Sequence, residues 1–171
     1  LREVLQRLAR DGWLTIQHGK PTKVNNFWET CGLNILETLA RLDQDGIPEL
    51  VDHLLAARTS VSAVFIRGAI KNSPEQAAEL LKGYSDVPED GQAFADYDYR
   101  INHDLALASG NRVYVLMMNG FRGLYARIGG YYFSNSKSRN LARDYYAQLL
   151  QLAQTGAHEQ VPGLIRKYGI A

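Results

Sequence analysis

The sequence predicts a mainly α protein: a short helix and a β-hairpin first, then an antiparallel bundle of six or seven helices. Three observations predict it. The pattern switches from helical to strand-like within the first twenty-odd residues. Everything after residue 33 repeats apolar side chains at helical spacing, with no strong strand candidate. A hydrophobic content of 46% in 171 residues is ample for one packed domain and part of a second.

Leu1, Val4, Leu5 and Leu8 fall at i, i+3, i+4 and i+7, so the chain opens inside a helical pattern, without methionine, and Gly12 ends that helix as a left-handed cap. Trp13–Gln17 and Thr22–Val24 read as two short strands joined through His18-Gly19-Lys20-Pro21, a glycine-containing hairpin connection. Helix, turn and hairpin in this order form the second half of a winged helix-turn-helix. Asn26 followed by Glu29 predicts a capping box for a helix to about Leu42, broken by Asp43–Gly46. Pro48 suits the first turn of a long helix through about Lys71, whose apolar positions include Leu50, Val51, Leu54, Leu55, Val61, Val64 and Phe65. Ser73-Pro74-Glu75-Gln76 starts another by the same logic. Ser85–Gln92 reads as the one long loop, and further helices are expected at about Phe94–Ala108, Val113–Ile128, Lys137–Gln154 and Ala157–Lys167, with Gly110-Asn111 and Gly156 as breaks. No stop signal follows Tyr168, so both ends read as interior to a longer chain. The expected organisation is residues 1–25 as the later part of a winged domain, 26–32 as a linker and 33–171 as a helical domain.

Composition excludes several classes. One cysteine, Cys31, cannot form an internal disulfide, which suits a reducing compartment and makes the cytoplasm the expectation. No apolar run approaches the ~20 residues of a bilayer span, so no membrane partner is expected. Residues 1–30 hold five basic and three acidic side chains, a net of +2. The other fourteen basic and fifteen acidic ones leave −1. A basic small end beside a near-neutral large domain is compatible with nucleic-acid contact.

An enzyme is not expected. The four histidines, His18, His53, His103 and His158, are scattered, and no HExxH, GxSxG, CxxC or glycine-rich phosphate loop occurs. Asp96, Asp98 and Asp104 share a predicted helix, where such acids more often form a solvated face than a catalytic group. The hairpin leaves two readings open. Gly19 can simply make the turn while Lys20 solvates it. Alternatively the tip enters a minor groove, with Lys20 neutralising phosphate and His18 offering a hydrogen bond, while the helix bearing Arg2 reaches a major groove.

The run Leu1-Arg-Glu-Val-Leu-Gln-Arg-Leu-Ala-Arg-Asp-Gly-Trp13, continued by Leu14-Thr-Ile-Gln-His-Gly-Lys-Pro-Thr-Lys-Val-Asn-Asn-Phe-Trp-Glu-Thr30, resembles the recognition helix, wing and linker of the fatty-acid-responsive regulators of the GntR family. The likeness continues through Asn34–Asp43, Ala108-Ser-Gly-Asn111, Gly123-Leu-Tyr125 and Tyr132-Phe133. It implies a homodimeric DNA-binding regulator that represses fatty-acid degradation genes, can also activate unsaturated fatty-acid synthesis, and leaves its operator when long-chain acyl-CoA binds. Alternatives are a GntR regulator answering to another organic acid or acyl thioester and, in a different class, an acyl-CoA-binding protein or enzyme without DNA control.

By this resemblance Arg2, His18, Gly19 and Lys20 are DNA-contacting positions. Leu55, Arg58, Tyr125, Tyr132, Arg166 and Gly169 match the acyl-CoA pocket, with Trp13 and Phe27 near its nucleotide end. Read from spacing alone, the two tyrosines pass as core and Arg166 as a solvated charge. Related branches hold a metal through one aspartate and three histidines. Here those positions are Asp98, Asn102, a residue near Ala147, and Ile170, while His103 is one residue, about 100°, out of register. One carboxylate without an imidazole is a poor zinc site, so no metal and no other cofactor is expected.

Overall fold

The computed structural model describes residues 1–42 and 47–169. The opening apolar stripe forms helix α1, Arg2–Arg10. Its exit is built on Gly12, whose φ of +94° disfavours any side chain and whose Cβ, if present, would lie 2.4 Å from the Thr30 carbonyl oxygen. The Gly12 carbonyl accepts from Asn25 Nδ2 at 3.0 Å and from Thr30 Oγ1 at 2.8 Å. Strands β1 (Leu14–Thr15) and β2 (Lys23–Val24) pair antiparallel, Leu14 opposite Val24 and Thr15 opposite Lys23. The ladder is shorter than the sequence runs suggest. Thr15 Oγ1 donates to Asn25 Oδ1 at 2.8 Å, so side chains extend what the backbone pairing leaves off.

The single helix expected from Asn26 to Leu42 is instead three pieces: α2 at Phe27–Thr30, a 3-10 turn at Leu33–Ile35, and α3 at Leu36–Leu42. Asn26 does cap α2, its Oδ1 accepting from Trp28 N at 3.2 Å and its Nδ2 donating to Glu29 Oε1 at 2.9 Å. The helix stops because Thr30 turns its hydroxyl to Gly12, and Cys31 and Gly32 take up extended backbone. The expected break at Asp43–Gly46 lies outside the described residues.

Beyond it come α4 (Ile47–Asn72), α5 (Pro74–Leu81), a 3-10 turn at Lys82–Asp86, α6 (Gly91–Ala108), α7 (Arg112–Phe133), α8 (Ser136–Thr155), a 3-10 turn at His158–Gln160 and α9 (Val161–Tyr168). Asp90, Asn111 and Asn135 cap α6, α7 and α8 with side-chain oxygens, which explains those starts. The Ser85–Gln92 loop is thus shorter than expected. Helix α7 also runs past Ile128 to Phe133, through Gly129-Gly130. A Cβ on Gly129 would lie 2.7 Å from that of Ala95, so this glycine serves close packing of α7 on α6 and does not end the helix.

The core is drawn from every long helix: Phe65, Ile66 and Ile70 of α4, Leu81 of α5, Phe94 and Leu105 of α6, Met118 and Leu124 of α7, Tyr146 and Leu149 of α8, and Val161 of α9. Helix α6 packs along α7 and α4, α5 against α8, and α9 against α4 and α8. The turn at Leu33–Ile35 and α3 lie on α7. No described helix is long and apolar enough to cross a membrane.

Candidate ligand-binding cavity

Helices α4, α7, α8 and α9 line a cavity of about 970 Å³. Val51, Leu54, Leu55, Ile128, Leu141 and Ile165 give it apolar walls. Among them sits a polar cluster centred on Asp98, which is only 5% exposed. Asp98 is buried because it shares the stripe of α6 that also carries Phe94, Ile101 and Leu105 into the core. Its Oδ2 accepts from Arg58 Nη2 at 2.6 Å and from the Tyr125 hydroxyl at 2.7 Å, and its Oδ1 accepts from the Tyr146 hydroxyl at 2.6 Å. The Arg58 guanidinium also lies 5.6 Å from the centre of the Tyr125 ring.

The electrostatics follow from this geometry. Burial is the largest single influence on Arg58 and works against its charge, but the adjacent Asp98 carboxylate together with Tyr125, Tyr145 and Tyr146 outweighs it and raises the pKa above its ordinary value. Burial pushes the phenols of Tyr125, Tyr145 and Tyr146 up, with Asp98 adding to burial and Arg58 pulling the other way, so they act as neutral donors. Arg58 Nε is buried with no acceptor among the described residues. A buried donor without a partner is costly, so this nitrogen is the unsatisfied group of the cluster among the described residues.

The donor set does not suit a metal. The Arg58 cation already occupies the Asp98 carboxylate, Asn102 spends its amide on the Asp98 carbonyl at 2.8 Å, and Ala147 has no donor side chain. Ile170 lies outside the described residues. His103 is not in the cavity; it faces an outer groove, with Nε2 3.1 Å from Asn119 Oδ1.

Of the residues expected at the pocket, Leu55, Arg58, Tyr125, Tyr132 and Gly169 line the cavity. A Cβ on Gly169 would meet Thr59 Cγ2 at 2.5 Å and the Ile165 carbonyl at 2.6 Å, so this contact requires glycine. Arg166 is exposed on α9 and is not among the lining residues. Trp13 and Phe27 also do not line it; their rings pack on each other, centroids 5.5 Å apart, where the hairpin meets α2. Arg2 on α1 and His18, Gly19 and Lys20 at the hairpin tip are all exposed.

Among the lining residues that escaped the sequence reading of the pocket are Asp98, Tyr145, Tyr146 and Tyr168. The register of Asp98 with the apolar stripe of Phe94, Ile101 and Leu105 was legible, though not its burial or its partners. Tyr168 was not, since its place depends on α9 bringing it to α8, where its ring lies 5.8 Å from Tyr145 and its hydroxyl accepts from Gln148 Nε2.

Residues 25–171 match the FadR C-terminal domain family. Over 170 residues, 99% of this chain and 71% of the relative, the sequence is 63% identical to a fatty acid metabolism regulator protein of Shewanella pealeana. It is 62% identical to that of Shewanella halifaxensis over the same shares, and 59% identical over 169 residues to that of Salmonella paratyphi C. A helical bundle around a mixed apolar and polar cavity, with these relatives, defines a regulator and not an enzyme. The chain belongs to the FadR family of fatty acid metabolism regulators.

Proposed function

We propose that this chain acts in a homodimeric, cytoplasmic transcription regulator of the GntR family. Residues 1–25 belong to a winged helix-turn-helix on operator DNA, residues 33–171 hold a long-chain fatty acyl-CoA, and residues 26–32 link them. The regulator represses fatty-acid degradation genes, activates unsaturated fatty-acid synthesis, and leaves DNA when the acyl-CoA binds. It uses no metal and no other cofactor.

The observation that carries this reading is the 970 Å³ cavity with apolar walls and one polar cluster. An alkyl chain gains roughly 0.8 kcal/mol per buried methylene, and the Arg58, Tyr125 and Tyr146 cluster gives the same space a polar end. Arg166 stands one helical turn before the lining residue Gly169, so a ligand extending past Gly169 meets a cation suited to its phosphates. Trp13 and Phe27 serve the nucleotide end. On the DNA side, the exposed tip His18-Gly19-Lys20 and the helix bearing Arg2 suit minor- and major-groove contact.

Helix α7 supports a route between the two. One face carries Tyr125 and Tyr132 to the cavity, while Gly120 and Gly123 let the linker side approach so closely that a Cβ would lie 2.7 Å from Leu33 Cβ or Glu37 Oε2. A shift of α7 then reaches α2 and, through Thr30 and Gly12, the hairpin. To lower DNA affinity a hundredfold the ligand must prefer the DNA-incompetent state by about 2.7 kcal/mol, and operator must weaken ligand binding by the same factor. Calorimetry of the complete dimer with oleoyl-CoA, with and without operator, tests this. Equal affinities in the two titrations overturn it.

A second reading is a smaller organic acid as effector, favoured by the Arg58 cation in the cavity wall, which suits a carboxylate. A gel-shift titration against acyl-CoAs of rising chain length and short carboxylates separates the two, since only the first predicts release that strengthens with chain length.

A further inference from the structure

Helices α6 and α7 form an antiparallel pair whose outer face carries a groove of about 580 Å³, lined by Asp96, Tyr99, Arg100, His103, Asn119 and Arg122 among others. The register is set by His103 facing Asn119 at 3.1 Å and by the Tyr99 hydroxyl donating to the Met118 carbonyl at 3.2 Å. One turn back along α6 from His103 is Arg100, and one turn on along α7 from Asn119 is Arg122, so the two arginines stand at the same level across the groove. Among the described residues neither has a carboxylate within 4.0 Å. Asp96, a further turn along, is engaged by Gln92 Nε2 at 2.8 Å, and Asp104 pairs with His103 at 3.5 Å.

Each guanidinium is steered by an aromatic ring, Arg100 over Tyr97 at 5.6 Å and Arg122 over Tyr99 at 5.9 Å. Two like charges lining one groove without a carboxylate partner repel, and a divalent anion bound between them offsets that repulsion. Guanidinium forks match phosphoryl oxygens in geometry as well as charge, and His103 and Asn119 add hydrogen-bonding groups one turn away. We infer that this groove is a second ligand site, which takes the phosphoryl group of a small molecule between Arg100 and Arg122. It is separate from the acyl-CoA cavity but shares a wall with it, because Tyr125 lines both and packs edge-on against Tyr99 with centroids 5.5 Å apart.

Calorimetry on the full-length protein at constant ionic strength, with pyrophosphate, inorganic phosphate and ADP as probes, tests the site. Pyrophosphate is expected to bind saturably at one per chain. Arg100→Gln and Arg122→Gln are each expected to weaken it at least tenfold, and Arg112→Gln, at the start of α7, to leave it unchanged. Both arginines are exposed, so circular dichroism melts should match the parent protein. ADP binding tenfold tighter than pyrophosphate assigns a nucleotide to the groove; equal affinities assign a free phosphate species. No saturable binding, undiminished binding in both groove variants, or displacement of pyrophosphate by oleoyl-CoA would overturn the inference. The result is independent of the acyl-CoA reading, since the probe carries no acyl chain.

Discussion

The segment before Cys31 and the bundle after it are held together by different physics. In α1, β1, β2 and α2 no residue is fully buried, and Leu1, Val4, Ile16, Val24 and Trp28 are all exposed. What joins these pieces is mostly polar and sparse: Asn25 and Thr30 on the Gly12 carbonyl, Asn25 on Thr15, and an aromatic contact between Trp13 and Phe27. The bundle reverses the balance, with fully buried side chains from six helices meeting in one core. Apolar burial is roughly proportional to area and tolerates small shifts, whereas a few directed hydrogen bonds at a glycine depend on one geometry. Within this 171-residue chain the bundle should therefore be the stable body, and residues 1–30, which include the segment read as the later part of a larger winged domain, the weakly held part.

The largest expected effect comes from emptying the core. In this 171-residue chain, Phe65→Ala, at a fully buried position, should cost about 3–5 kcal/mol in urea unfolding, while Val4→Ala, at a side chain 57% exposed in the same chain, should stay within about 0.5 kcal/mol. Similar costs for the two would break the contrast. Next is Gly12→Ala, which forces a side chain into a positive φ and against the Thr30 carbonyl, a strain of about 1–3 kcal/mol confined to the first segment. Limited proteolysis should open the chain between residues 10 and 32 in this variant, with the bundle's melting temperature unchanged. A parallel fall in that temperature would show that the two regions unfold as one.

A smaller effect concerns DNA. If the exposed tip is a wing, Lys20→Ala in the full-length protein should lower the slope of log affinity against log salt by about one unit, and His18→Ala should weaken operator binding without that change of slope. Unaltered affinity and slope in both would remove the wing assignment. The smallest effect is on pH. The hydrogen bond from Arg139, with Arg143 adding to it, holds the Glu89 carboxyl below its usual range, as Arg67 does for Glu159. A depressed carboxyl contributes stability that is present above its unfolded-state pKa and lost as pH falls through the folded one. Acid titration of bundle stability should therefore be shallower in Glu89→Gln than in the parent, and an identical profile would mean that this exposed pair contributes nothing measurable.

Much of the fold was legible because its determinants are local. The stripe Leu1, Val4, Leu5, Leu8, the glycine at 12, Pro74 at a first turn and Asn26 as a cap each act within a turn or two of their own position. The errors share one cause. Thr30 ends α2 only because Gly12, far off in sequence, presents its carbonyl there. Gly129 stays helical only because Ala95 needs the space.

The candidate cavity divides in the same way. Sequence alone determined the helical class, because periodicity is written along the chain, whereas Leu55, Arg58, Tyr125, Tyr132 and Gly169 were named only through the family resemblance, since spacing by itself passed the two tyrosines as core. Only the tertiary structure decided that Asp98 is the centre of a buried cluster rather than part of a solvated face, that Tyr145, Tyr146 and Tyr168 join the wall, and that Arg166, Trp13 and Phe27 stand outside it. Burial and pairing depend on which helices meet. Arg58, Asp98, Tyr125 and Tyr146 lie on four different helices, so no local pattern in any one of them records the encounter.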